Sequence, residues 1–128
     1  MKVHAYAALT KTSPLAPFQI DRRDPGAQDV EVEILYSGVC HSDLHQVRDE
    51  WGDSLYPIVP GHEIVGRVTK VGSRVKRLKK GDLAAVGVMI DSCRKCKPCK
   101  GHLEQYCAEG MTGTYNTLER DGKTVAYG

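Results

Sequence analysis

From Val3 to Val88 the apolar side chains recur in short alternating runs broken by turn-forming residues, a period that builds strands rather than helices. Val3 to Leu9 predicts a first strand, closed by Thr12-Ser13-Pro14. Val30-Glu31-Val32-Glu33-Ile34 alternates apolar with acidic residues, as a half-buried strand should, and follows the turn Asp24-Pro25-Gly26. Ser42 is placed as the N-cap of a short helix over Asp43 to Arg48. Tyr56-Pro57-Ile58-Val59-Pro60-Gly61 reads as a stiff connector that cannot be helical. Ile64 to Val71 predicts another strand, closed by Gly72-Ser73, and Gly81-Asp82 turns the chain into the apolar Leu83 to Val88. The sum is a mainly β domain with short helices, a small closed or partly open barrel. Cys93 to Cys107 has no period of useful length, so hydrophobic burial alone would not hold it.

A chain of 128 residues is one domain's worth and supports a modest core. Apolar residues at 41% and charged residues at 27% fall where ordinary globular domains fall. A net charge of +2 is too small to argue for nucleic acid. The basic run from Lys70 to Lys80 lacks interleaved aromatics and reads as a solvated face. The N-terminus lacks the apolar stretch of a secretory signal, and the longest apolar run, Leu83 to Ile90, is too short to span a bilayer. The expectation is a cytoplasmic protein with no membrane or nucleic-acid partner, in which reduced cysteines signal metal or catalysis.

Cysteine spacing changes the picture most. Cys93, Cys96 and Cys99 are each separated by two residues, and Cys107 follows after seven more. Two-residue gaps let a tight turn point two sulfurs at one ion, and four thiolates complete a tetrahedron around zinc. Such an ion would replace the missing core of a lobe spanning about residues 91–109. Four thiolates on a divalent cation leave a net charge of 2 − 4 = −2, and Arg94, Lys95, Lys97 and Lys100 are placed to offset it. A ferredoxin-like cluster would bring its fourth cysteine after three residues, ahead of a proline. Here Ala108 follows Cys107, which favours zinc. Taken alone, Cys40 reads as a small buried hydrophobe and His62 as a hydrogen-bonded structural residue.

The motifs together resemble the zinc-dependent medium-chain alcohol dehydrogenases. Gly61-His62-Glu63-Ile64-Val65-Gly66, followed by Gly72 and Val75, matches that family's zinc pattern, and Gly38-Val39-Cys40-His41-Ser42-Asp43-Leu44-His45 resembles its first metal-ligand segment. Trp51, Tyr56 to Glu63 and Gly113-Thr114-Tyr115-Asn116 resemble the cinnamyl-alcohol-dehydrogenase-like branch, which includes bacterial aldehyde reductases. The resemblance covers essentially the whole chain. It implies a GroES-like, partly open β-barrel in which Cys40, His62 and Glu63 hold a catalytic zinc, Glu63 as an exchangeable ligand. It implies that Ser42 takes the alcohol proton, that His45 ends a proton relay, that His41 contacts the cofactor, and that Trp51 lies near the substrate pocket. The implied reaction interconverts primary alcohols and aldehydes by hydride transfer with NADP(H), zinc polarising the substrate oxygen. Neighbouring side chains of a regular strand point to opposite faces, so His62 and Glu63 can share an ion only where the backbone is irregular, and Gly61 permits that. Otherwise Glu63 orients the site from behind.

Parts of the family pattern are missing. No Gly-x-Gly-x-x-Gly occurs, so the dinucleotide-binding domain is expected to be absent, residues 1–128 forming an incomplete catalytic domain. The family's third permanent ligand to the catalytic zinc is a later cysteine, whereas all five cysteines here are already assigned. The isolated chain is therefore expected to be a truncated and inactive piece of a longer, homodimeric enzyme. The competing reading is a non-enzymatic structural zinc module, in which Cys40, Ser42, His45 and His62 serve no purpose.

Overall fold

A computed structural model describes residues 1–128, and its strands form four small antiparallel sheets joined by loops and short helices. Strand β1 (Lys2–Ala7) pairs with β2 (Ala16–Asp21) from Lys2↔Asp21 to Ala7↔Ala16. The sequence reading has no strand at β2, because Pro14 and Pro17 hide it. Phe18-Gln19-Ile20-Asp21 nonetheless alternates, and Pro17 lies on an edge, where a missing donor is tolerated. Ala7 and Ile20 pack with Val59 to make the core, flanked by Val3, Ala5, Phe18 and Tyr127. The connector predicted at 56–61 delivers Val59 there; Ile58 forms a bridge with Ala8, and Tyr56–Pro57 is cis.

The central sheet has the order β3-β4-β5, with β3 at Val30–Gly38, β4 at Glu63–Val71 and β5 at Leu83–Val86. β4 alternates as predicted, burying Ile64, Gly66 and Val68 between exposed neighbours. Gly66 sits in close register with Ile34, where a Cβ would run into Val32 Cγ1 and the Glu33 carbonyl. β3 departs from the prediction. It runs four residues further, to Gly38, and is not half-buried along its length, since Ile34, Leu35 and Tyr36 are all exposed. Within these residues no second layer covers that stretch. Register shifts at Glu31/Val32 and Ile34/Tyr36 bend the strand.

The predicted strand at 83–88 ends early, at Val86, and the chain resumes as β6 (Met89–Asp91), paired with β7 (Thr112–Gly113). β8 (Thr117–Leu118) and β9 (Val125–Ala126) form a last hairpin. The sheets do not close on one another, so the architecture is the mainly β, partly open form. No helix is long and apolar enough to cross a membrane.

Candidate metal centres

Helix α1 (His41–Val47) sets out the first cluster, and it begins before the predicted point. Ser42 is not the N-cap. Cys40 is, with an extended backbone, while Asp43 at the third helical position accepts the Cys40 N–H at 3.0 Å. The carboxylate is the stronger cap, so the helix starts two residues early and Ser42 falls in its first turn. Cys40 thus lies at the hinge between β3 and α1.

His62 precedes β4 rather than belonging to it, and Gly61 before it has φ +125°, a value open to glycine. The irregular backbone lets His62 and Glu63 face the same point, as the sharing of one ion requires. Ligand atoms of Cys40, His62 and Glu63 all lie within 4.8 Å of one another. Gly38 is paired opposite Glu63, and a Cβ there would occupy the space of the Glu63 carboxylate. Thiolate, imidazole and carboxylate are zinc donors, and three of them leave one tetrahedral position free.

A buried carboxylate organises this cluster. Asp43 is 7% exposed and His62 5%. Asp43 Oδ1 meets His62 Nδ1 at 3.2 Å and accepts the Gly61 N–H at 3.2 Å, while Oδ2 holds the Cys40 N–H. One side chain therefore ties both ligand segments and leaves the other ring nitrogen of His62 for an ion. The Tyr115 ring stacks on His62 at 5.7 Å between centroids. Burial, with the Asp43 carboxylate beside it, pushes the Tyr115 phenol above its ordinary range. The sequence reading gave neither Asp43 nor Tyr115 a role. An acidic residue three places after the residue that opens a helix is the signal that could have found Asp43.

Beside the cluster is an open recess of about 370 Å³, lined among others by Ser42, Gln46, Trp51, His62, Tyr115 and Asn116; His41 and His45 are not among its lining residues. Ser42 Oγ donates to Cys40 Sγ at 3.2 Å. His45 Nδ1 pairs with Glu50, and its ring stacks on Trp51 at 5.1 Å and lies 4.8 Å from His41. Ser42 and His45 are not hydrogen-bonded to each other, so a proton passing between them needs a bridging hydroxyl or water. Asn116 fixes one wall, accepting the Leu55 N–H at 2.7 Å and donating to Gln46.

The second cluster is the cysteine lobe. Cys96 caps α2 (Lys97–Lys100), and a single 3-10 turn over Glu104–Tyr106 leads to Cys107. All five cysteines of the chain are free thiols. The four sulfurs of the lobe lie within 4.8 Å of one another, with Cys96–Cys99 at 3.4 Å and Cys93–Cys99 at 3.9 Å. Zinc–sulfur bonds of about 2.3 Å make a tetrahedron with edges of about 3.8 Å, so the cage has the right size. The Cys93 N–H draws the Cys107 thiol down to about 6, helped by further donors. At Cys99 the Ser92 hydroxyl favours the thiolate, but burial and the neighbouring Cys96 thiol outweigh it and raise the group to about 11. Of the cations read as charge partners, Arg94 pairs with Asp91 and Lys95 with Glu109, and none of the four charged side chains donates to a sulfur.

Comparisons with known proteins give the chain's family. The model of the alcohol dehydrogenase GroES-like domain matches residues 26–127. The chain is 56% identical over 127 residues to aldehyde reductase YahK of Escherichia coli (strain K12), covering 98% of this chain and 36% of that protein. It is 50% identical over 126 residues to NADP-dependent alcohol dehydrogenase C of Mycobacterium tuberculosis, with the same 98% and 36% coverage. Among solved structures, a cinnamyl alcohol dehydrogenase from Sorghum bicolor superposes with a TM-score of 0.93 at 40% identity, over 99% of this chain and 36% of that one. CAD from Helicobacter pylori, solved with NADP(H), gives 0.92 at 40% identity, over 100% and 38%. The chain therefore spans little more than a third of the length of these relatives.

Proposed function

The chain belongs to the alcohol dehydrogenase GroES-like domain family, and from that premise we propose that it is the metal-binding part of an oxidoreductase that interconverts primary alcohols and aldehydes with NADP(H). The observation that carries the reading is the convergence of Cys40, His62 and Glu63, with His62 also lining a recess shared with Ser42 and Trp51. A structural zinc module would need only the four-sulfur lobe.

When bound, zinc supplies Lewis acidity at that cluster and the nicotinamide supplies or accepts hydride. The chain's own residues do the rest. Asp43 fixes the imidazole of His62 and the backbone of Cys40, so both ligand segments are held in place beside the recess that His62 lines. Ser42 takes the alcohol proton, for which its hydroxyl is placed beside the Cys40 sulfur. His45, in the exposed stack with Trp51 and paired with Glu50, passes that proton to solvent. Trp51 forms a wall against the substrate's organic group, and His41 meets the cofactor from the first turn of α1. Cys93, Cys96, Cys99 and Cys107 hold a second, structural zinc. The dinucleotide is gripped by a domain of the longer protein that these 128 residues do not contain. That longer protein is proposed to be cytoplasmic, consistent with free thiols, and homodimeric, as the family likeness implies.

Two measurements test the reading. Elemental analysis of the reduced chain should find one tightly held zinc and a second, weaker one that Cys40→Ser removes. Joining these residues to the remaining part of the E. coli aldehyde reductase should give NADPH-dependent reduction of an aromatic aldehyde, abolished by Ser42→Ala. A joined protein that binds both zinc ions yet transfers no hydride would overturn the assignment.

A further inference from the structure

The four sulfurs of the lobe are not equivalent in the donors they receive. Cys93 Sγ accepts the Cys96 N–H at 3.4 Å, and Cys96 Sγ accepts the Ala108 N–H at 3.5 Å. Cys99 Sγ lies 3.5 Å from the Ser92 hydroxyl. Those partners are all neutral. Cys107 accepts the Cys93 N–H at 3.4 Å and, in addition, faces the guanidinium of Arg120, whose Nη2 is 3.7 Å from its sulfur.

Arg120 is outside the lobe, on the loop between β8 and β9. It is anchored rather than loose. The same Nη2 donates to the Gly110 carbonyl at 2.6 Å, and Nη1 lies 4.0 Å from Glu109. The side chain is 31% exposed, against 59% and 73% for Arg94 and Lys95, which are spent on carboxylates. A four-thiolate site carries net negative charge in a partly buried place, where a fixed cation counts for more than one in water.

We infer that Arg120 is the charge partner of the four-sulfur centre, raising its zinc affinity through Cys107 and tying the lobe to the β8–β9 hairpin. This rests on the reading that the lobe holds zinc. Arg120 touches no ion; it acts through the sulfur, as groups behind metal ligands do. The guanidinium is suited to the task because one planar fork serves sulfur and carbonyl together, which an ammonium does less well.

The test uses the 128-residue chain carrying Cys40→Ser, so that only the four-sulfur centre binds metal tightly. Zinc dissociation constants are read by competition with a chromogenic chelator for this reference, Arg120→Gln, Arg120→Lys and Lys95→Gln. Removing a group that supports a ligand weakens metal binding by roughly 10- to 100-fold, and Arg120→Gln should fall at the lower end of that range. Arg120→Lys should recover part of the loss, and Lys95→Gln, whose ammonium is paired with Glu109 and reaches Cys93 only through space, should lose less than Arg120→Gln. With cobalt(II) in place of zinc, the sulfur-to-metal charge-transfer band of Arg120→Gln should move to lower energy, a change that mere loosening of the hairpin would not produce. Circular dichroism checks that each variant is folded. Equal zinc affinity and an unmoved cobalt band in Arg120→Gln would overturn the inference while leaving the lobe's zinc intact. A reference chain that binds no zinc at all would instead overturn the metal reading on which it rests.

Discussion

Asp43 is the residue on which most depends, because three donors from two separate segments end on its carboxylate. Replacing it with alanine leaves those buried groups without an acceptor, at a cost on the order of 3 kcal/mol. Urea denaturation of Asp43→Ala should show that loss, and Asp43→Asn, which keeps an acceptor oxygen, should lose less. A second carboxylate gives a pH signature. Arg23 beside Asp29, with the Gly26 N–H, holds the Asp29 carboxyl below its ordinary value. A group depressed in the folded state adds stability above its unfolded value and loses it as pH falls through the folded one. Stability curves of wild type and Asp29→Asn should therefore be separated at neutral pH and converge in acid, well below pH 4. At this scale the sequence was readable where a residue type announces its chemistry. Cysteine spacing at 93–107 does so; an aspartate within a helix does not, because its value lies in what the fold brings to it.

Among the elements, β4 carries the site, since it begins at Glu63 and is paired on both sides. Gly66 lets β3 approach, and Gly66→Ala must push either Val32 or the Glu33 backbone aside. Overpacking of that kind costs about 1–3 kcal/mol, which thermal unfolding should reveal as a lowered Tm. The cysteine lobe should behave as a separate unit, because short helical turns, sulfur contacts and a few partly exposed ion pairs hold it, with no apolar core of its own. Adding a strong chelator should expose the amides of residues 97–107 to hydrogen exchange while those of β3 and β4 stay protected. Exchange that stayed slow throughout the lobe would show that it folds without metal. Elements with clean alternation, such as β4, were legible in advance. β2 was not, because its prolines mask a four-residue alternation, and neither were β7 to β9, each only two residues long and fixed by pairing rather than by pattern.

For the whole molecule, the sheets remain open and Ile34, Leu35 and Tyr36 are uncovered. A small β-barrel, closed or partly open, was legible because strand runs and turns alternate so regularly; that it is open, and which strands remain uncovered, depends on tertiary packing that no local pattern reports. The 128 residues alone, lacking a glycine-rich dinucleotide turn, should show no hydride transfer from NADPH to an aromatic aldehyde in a standard absorbance assay. Activity in that assay would mean that the cofactor is gripped by residues already present.

Trp51 is the single tryptophan of the chain, and it lies against His45 at the mouth of the recess. Indole emission, excited at wavelengths too long for the six tyrosines to absorb, therefore originates at one address. A change in the charge of the neighbouring imidazole, or an aromatic guest settling beside the indole, would brighten or dim that one source without any added dye.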